Sequence, residues 1–305
     1  MKFVSLAQHG ESQLQQALVQ LSKDHGFTNV FNPSLSLAGG TWHLAFRAES
    51  FTGEKPFRAF YTHLVDGRFS DPLDLTDFLR ERGLAQVADP KLVKLDDELF
   101  FTFNTGNLGK VNNTIFLMRI WPTMGSPQKC EVSDRQTVEK NWAFFKRDGN
   151  LCALYSLSPV VQLKLASGLL GSEDVLFFER AGNVDDSGTI SQSISIGSQL
   201  SFASPEMAYM VVHDKPRFLG KRGYIGRLAQ VQFDQEGGIS VRVAQTRLIH
   251  SILKMLHFGK RHNPNILWAF YFSGLVAEGD NLTLSFGVND LEFFFSQLKL
   301  DQIWP

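Results

Sequence analysis

The stretch Val87–Asn104, VADPKLVKLDDELFFTFN, decides how the rest of the chain reads. Asp89 opens a short apolar strand, Asp96 and Asp97 make a turn, and a second strand over Leu99–Phe103 ends in the polar Asn104. Opener and closer lie fifteen positions apart, and the same interval links Asn32 with Arg47, Asn141 with Ser156 and Ser198 with His213. In a fifth copy Ser273 plus fifteen falls on Val288, one position short of the polar Asn289. The openers at 32, 89, 141, 198 and 273 follow one another at 57, 52, 57 and 75 residues. That is the length of a unit of about four strands, as in a propeller blade. In an antiparallel hairpin the first residue of one strand and the last of its partner lie at the same end. Openers placed on innermost strands would therefore all project into one central funnel. The expected fold is all-β: a five-bladed β-propeller, one domain over 1–305, with a short N-terminal helix and a helical insertion before the last blade. A series of unrelated hairpins is the competing reading of the same spacing.

The composition agrees with one large all-β domain. The chain has 305 residues, 43% of them apolar, and its 27 Phe suit flat faces stacked between blades. A formal net charge of −1 offers no global attraction to nucleic acid or anionic lipid, so charge-driven binding has to be local. Cys130 and Cys152 lack metal-ligand spacing and are expected as reduced structural thiols. The start MKFVSLAQHGE turns polar too soon for a signal peptide. No apolar run reaches the ~18 residues of a membrane span. The expected location is cytoplasmic, with no cofactor and no metal site; a homo-oligomer is left open.

In chain order, Phe3–Leu6 is expected as a strand that completes the last blade and closes the ring. ESQLQQALVQLSK sets Leu14, Ala17, Leu18 and Leu21 at helical spacing, an amphipathic helix for the rim. PFRAFYTHL reads as the third strand of the first blade, and DPLDLTDFLRERGL as a turn and short helix after it. His43 and His63 stand singly in strand patterns and read as structural. TGNLGKVNN is a loop, and no phosphate-cradling glycine motif occurs in the chain. Thr114–Ile120 and residues around Gln136–Val138 are expected to finish the second blade. RGYIGRLAQVQFD and ISVRVAQ supply the outer strands of the fourth. TRLIHSILKMLHFGKRHNPN, over 246–265, is the one long departure from the rhythm. Leu248, Ile249, Ile252, Leu253 and Leu256 make one helical face there, before a basic tail of Lys260, Arg261 and His262.

Openers and closers together put Asn32, Arg47, Asp89, Lys91, Asn104, Lys140, Asn141, His213, Asn289 and Asp290 around the funnel. Amides and charged groups suit a polyol because each hydroxyl both donates and accepts. The expected partner is a sugar or oligosaccharide, with an anionic group in attendance. By alternation Asp89 and Lys91 share a face and Pro90 takes the other. Among the openers Asp89 alone is acidic, which separates it from an Asp-Pro that merely caps a strand.

Taken in order, NPSL with a following FR, the DPK at Asp89–Lys91, KNW at 140–142, His213, and SGLV with LSFGVND resemble glycoside hydrolase family 130. The similarity spans all five repeats through short motifs. The resemblance implies a five-bladed propeller among β-mannoside phosphorylases, hydrolases and mannosyltransferases, and relatives in bacterial surface-glycan metabolism. It implies that Asp89 is the single general acid, acting on the glycosidic oxygen. Phosphate or a nucleotide-sugar would then serve as co-substrate, held by cations. Lys91 and His213 are the expected anion site, with Tyr224 and Arg227 beside them, and Arg47 and Lys140 on the sugar side.

Three departures from the family pattern bear on the anion. The usual arginine after Asp-Pro is Lys91, which keeps the charge and loses the bidentate fork. Residue 88 is Ala instead of an acid, and the fourth repeat reads GSQL at 197–200. Five-bladed furanosidases and fructosidases use an Asp in the first blade, where this chain has Asn32. A sugar-binding propeller without catalysis and an interaction scaffold are the readings from other classes.

Overall fold

The computed structural model describes residues 2–49, 57–106, 112–181, 190–218, 220–255 and 265–304. The fold is all-β and propeller-like, built from curled antiparallel sheets. Each opener stands on or beside an antiparallel hairpin: Thr28–Ala38 with Thr41–Glu49, Ala88–Leu95 with Glu98–Asn104, Ala143–Arg147 with Asn150–Leu157, Ser201–Ser204 with Met207–Asp214, and Ile266–Glu278 with Asn281–Val288. The turns are as tight as the sequence allows. Asp148 and Gly149, at φ 50° and 73°, connect Arg147 to Asn150 in two residues, a turn that only such residues accept without strain.

Apolar faces meet between successive units, and the set of contacts closes on itself. Ala45 and Tyr61 pack against Phe101 and Leu92, Phe100 and Val93 against Phe144 and Trp142, and Phe145 and Leu154 against Met210 and Val231. Val211 and Leu228 pack against Phe272 and Phe286, and Leu35 and Phe46 share a cluster with Phe295. Hydrogen bonds join most of the same neighbours. Ser34 Oγ donates to Ser273 O (2.8 Å) and accepts from Leu92 N (2.9 Å). Gln199 spans Phe144 N and Trp142 O (both 2.8 Å), and Ala277 N donates to Ser201 Oγ (2.9 Å). The first strands are thus held side by side with their opener ends together.

The helix Ser12–Asp24 forms where the spacing places it, capped by the Glu11 carboxylate on the amides of Gln13 and Leu14. Leu14, Leu18 and Leu21 are buried on the first hairpin and Phe295.

Three expectations are corrected. Phe3–Ser5 pairs in parallel with Arg247–Ile249 of the fourth unit, not with the last. Closure of the fifth falls to residues 9–11, where Glu11 N donates to Phe295 O (3.0 Å) and Gln297 N to His9 O (2.8 Å). The N-terminus therefore clamps two neighbours. The second unit ends in Gln128–Val132, not at Gln136–Val138, and that strand joins Val175–Ala181 of the third unit in parallel, merging two outer edges. Over 246–265 the first residues continue the strand Ile239–Ile249 with Leu248 and Ile249 buried, and among the described residues the helix is Ile252–Met255. Leu256, Lys260, Arg261 and His262 lie outside the described residues.

His43 is structural, as its place in a strand suggests. Its ring is fully buried, with Nδ1 2.7 Å from the Tyr61 hydroxyl and Nε2 3.3 Å from Ala38 O. Burial lowers its pKa from 6.5 to about 4, partly offset by the Ala38 carbonyl. Because the folded value lies below the unfolded one, its contribution to stability is complete above pH 6.5 and is lost as pH falls toward 4. The full difference is worth about 3 kcal/mol. Denaturant unfolding at pH 7 and pH 5 should therefore show a clear drop, and His43→Gln should flatten it.

Candidate functional site

Three openers share one backbone device. Asn32, Asp89 and Asn141 have φ of 50°, 50° and 59°, left-handed values that Asn and Asp tolerate and most residues do not. At Asn32-Pro33 and Asp89-Pro90 the strand carries one extra residue against its partner: pairing steps from Phe31 to Ser34, and from Ala88 to Lys91. Such a bulge bends the strand and re-aims a side chain, and proline fits because the ladder needs no donor there. Ser198 and Ser273 are different. Ser198 Oγ is taken by Val211 N and Gln199 O, and Ser273 Oγ by Pro33 O, so these two openers bind backbone.

The re-aimed side chains meet partners within the hairpin, in the case of Asp89, and from neighbouring units, in the cases of Asn32 and Asn141. Asn104 Nδ2 donates to Asp89 Oδ2 (3.2 Å), Asn32 Nδ2 to Asp290 Oδ1 (3.2 Å), and Lys91 Nζ to Asn141 Oδ1 (2.8 Å). Two carboxylates are thus each held by an amide, and a fully buried lysine bridges the second and third hairpins. A Cβ on Gly287 would lie 2.0 Å from Asn32 Oδ1, so this glycine makes the space in which Asn32 sits. A void of about 10 Å³ lies among Asp89, Lys91, Asn104, Asn141 and Gln199.

Burial dominates the electrostatics. It lowers the Lys91 pKa to about 8, with Lys215 adding to the effect and Asp89 opposing it. His213 is lowered well below the usual imidazole range by burial, then by Lys91 and Lys215. Its Nε2 accepts from Phe272 N (2.9 Å), which leaves a neutral ring with Nδ1–H as its only donor. His213 therefore offers a hydrogen-bond donor and no charge. Tyr271 is raised well above the usual phenol range by burial, then by Asp89 and Asp290, and Tyr224 is raised by burial. Both stay as O–H donors.

Among the described residues, the buried Asn32 Oδ1, Arg47 Nε and Tyr271 hydroxyl have no hydrogen-bond partner. Arg47 and the two carboxylates all act on Tyr271 electrostatically, which places them around one phenol. Buried polar groups without partners are costly, and a ligand hydroxyl would satisfy them. Tyr271→Phe should weaken sugar binding about tenfold, the scale of one hydrogen bond of about 1.5 kcal/mol, with little change in melting temperature. Equal affinity by titration calorimetry would separate Tyr271 from the site.

Not every expected residue joins this group. Arg227 turns to the other face of its strand, donating from Nε to Ala244 O (2.7 Å) and facing Asp214 at 3.9 Å. It does not join Lys91 and His213. Asn289 closes the end of the fifth hairpin through Ala269 N and O, with Nδ2 on Lys254 O, which is a structural role. Lys140 is exposed at the rim, close enough to act on Lys215. Sequence reasoning passed over Tyr271, Lys215 and Arg222. Tyr271 is two residues before Ser273 and Lys215 two after His213, so strand alternation already placed each on a chosen face.

A second cavity, of about 800 Å³, opens at the turn end of the same strands, lined by Leu37, Leu95, Phe202, Phe233 and Val276. Gln199 borders both it and the small void beside Asp89. Asp89 does not line the larger space, which lies on the other side of Gln199. Among the described residues no group of three or more His, Cys, Asp or Glu converges as a metal site. None of their helices is long and apolar enough to cross a membrane.

No protein-family model matches the chain, and no curated protein matches it in sequence. Solved structures match it in fold. A β-1,2-mannobiose phosphorylase from Listeria innocua, seen with β-1,2-mannobiose, is 11% identical with a TM-score of 0.57, over 91% of each chain. A mannose phosphorylase from Leishmania mexicana, seen with a phosphate ion, is 14% identical with a TM-score of 0.52, over 94% of this chain and 93% of that one. A glycosyl hydrolase from Bacteroides ovatus is 12% identical with a TM-score of 0.56, over 90% and 85%.

Proposed function

We propose that residues 1–305 form a single five-bladed propeller that cleaves or forms a glycosidic bond at the opener end of its hairpins. Supporting this reading above all is Asp89, a carboxylate set at a left-handed bulge, held by Asn104 and placed near a buried lysine. Asp89 is the general acid that protonates the glycosidic oxygen, with no second carboxylate required as nucleophile. Asn32, Arg47, Asn104, Asn141, Asp290 and Tyr271 bind sugar hydroxyls. Lys91, the Nδ1–H of His213 and the Tyr224 hydroxyl face the anion, which is inorganic phosphate or the phosphate of a nucleotide-sugar. The fold shared with the Listeria and Leishmania phosphorylases supports a mannoside as the sugar.

A sugar-binding propeller without turnover is the second reading. It is favoured by two observations: Lys91 Nζ is already engaged with Asn141, and His213 carries no charge. The deciding experiment incubates the protein with β-1,2-mannobiose plus phosphate, with the disaccharide in water, and with GDP-mannose plus mannose. Mannose 1-phosphate, free mannose or a new disaccharide, respectively, is the expected product in at least one arm. Calorimetric binding of the disaccharide with no product in any arm favours the second reading, and absence of both binding and product removes both.

A further inference from the structure

Asn104 holds Asp89, and its own orientation decides what it offers. Turned end for end, the amide would set an oxygen against the carboxylate, acceptor against acceptor. A backbone donor prevents this. Gly106 N donates to Asn104 Oδ1 (2.9 Å), which leaves Nδ2 to donate to Asp89 Oδ2 (3.2 Å). Asn113 Nδ2 approaches the same Oδ1 at 3.5 Å. Asn113 is oriented in the same way by residue 139: Glu139 N donates to Asn113 Oδ1 and Asn113 Nδ2 to Glu139 O, both at 2.6 Å. Thr105 N on Thr114 O (3.1 Å) and Thr114 N on Thr105 Oγ1 (3.0 Å) tie the two chain segments together between these amides.

A buried carboxylate anchors the arrangement. Glu139, 4% exposed, accepts on Oε1 from Gln136 N (2.6 Å) and the Tyr155 hydroxyl (3.0 Å), and on Oε2 from Trp142 Nε1 (3.0 Å). Burial, then the Glu139 charge, pushes the Tyr155 phenol up to about 12, so it stays a donor. These three bonds draw residues 136–142 into one turn, and that turn carries Asn141, whose Oδ1 holds Lys91. Asp89 and Lys91 therefore both rest on amides whose support runs through residue 139. Neither Asn113 nor Glu139 lines the void beside Asp89. A buried polar network with its members satisfied makes rigid what it touches.

We propose that Asn113 and Glu139 are positioning residues for the acid. They lock the Asn104 amide with its N–H on Asp89 Oδ2, so that the proton passed to the glycosidic oxygen is carried on Oδ1. The inference rests on Asp89 as the general acid and adds how that acid is aimed.

Two measurements on Asn113→Ala and Glu139→Gln test it. The first is hydrogen exchange at the Asn104 side-chain amide by ¹⁵N NMR, its signals assigned by their loss in Asn104→Ser. Exchange should speed up about tenfold in both variants, the scale of one lost hydrogen bond. The second compares turnover of the disaccharide found active with that of 4-nitrophenyl β-mannoside, whose phenolate leaves without a proton. Disaccharide turnover should fall about tenfold to 100-fold, as for a misplaced catalytic group. The aryl mannoside should lose no more than about threefold, since it needs no general acid. Glu139→Gln keeps the volume of the side chain and sets its NH₂ against Trp142 Nε1 or against Gln136 N, so it serves if Asn113→Ala fails to fold. Unchanged amide exchange overturns the inference, and so does an equal loss on both substrates, the mark of a residue that only stabilises the fold. Asp89→Asn is the reference. If it spares the aryl mannoside while these variants do not, the inference fails and the proposed function stands; if it lowers both substrates alike, the proposed function fails.

Discussion

Asp89→Asn should lose turnover by three or more orders of magnitude while the protein folds as before. The two halves of this expectation have separate causes. Asn accepts the left-handed backbone at φ 50° as readily as Asp does, and Asn32 and Asn141 hold that conformation in the neighbouring units. The bulge and the strand after it are therefore kept, and the melting temperature should move by no more than a few degrees. The chemistry has no such substitute. An amide cannot deliver a proton, general acid catalysis contributes roughly 10²–10⁴-fold, and Asp290 is held by Asn32 in another unit. Steady-state rates on the substrate found active, with calorimetric binding of the same sugar, check both halves. A near-native rate in a folded Asp89→Asn protein would remove Asp89 as the acid. Loss of binding together with rate would make it a binding residue.

The features that define this site were legible to different degrees, and the differences are physical. Asn32, Asp89 and Asn141 stood out because left-handed backbone narrows the choice of residue, so position and type carried the same information. Arg227 was misplaced although parity argues against it. It lies three residues from Tyr224 in one strand, so the two side chains leave on opposite faces. The segment after residue 246 misled because Leu248, Ile249, Ile252 and Leu253 fit a helical stripe. Ala244, Thr246 and Leu248 in fact continue the buried alternation of the preceding strand, and Ile252 and Leu253 end up exposed. Which edge the Phe3–Ser5 strand joins was not encoded locally. Three residues pair equally well with any open edge, and the choice depends on which one the tertiary fold brings near. His213 was taken as a cation because burial, which empties it of charge, does not show in sequence.

Lys91→Met should separate function from stability more cleanly than any other substitution here. A lysine 2% exposed carries a desolvation cost, visible in the fall of its pKa from 10.5 to about 8. With the folded value below the unfolded one, the lysine opposes folding at neutral pH by about 3 kcal/mol, a cost relieved as pH rises from 8 toward 10.5. Methionine of similar length removes that cost. It also removes the 2.8 Å bond to Asn141 Oδ1, worth roughly 1.5–3 kcal/mol for a charged donor. The two effects nearly cancel, so denaturant unfolding at pH 7 should find the variant within about 1 kcal/mol of the parent. Turnover has no such compensation. The charge near Asp89 disappears, and with it the anion contact proposed for Lys91, and the rate should fall by about 100-fold or more, on the scale of removing one preorganised electrostatic contact. Lys91→Arg restores the charge in a group that stays protonated, so whatever activity it retains should persist above pH 8, where the parent declines. A purely structural lysine would give the opposite pattern: Lys91→Met would lose several kcal/mol of stability and keep its rate.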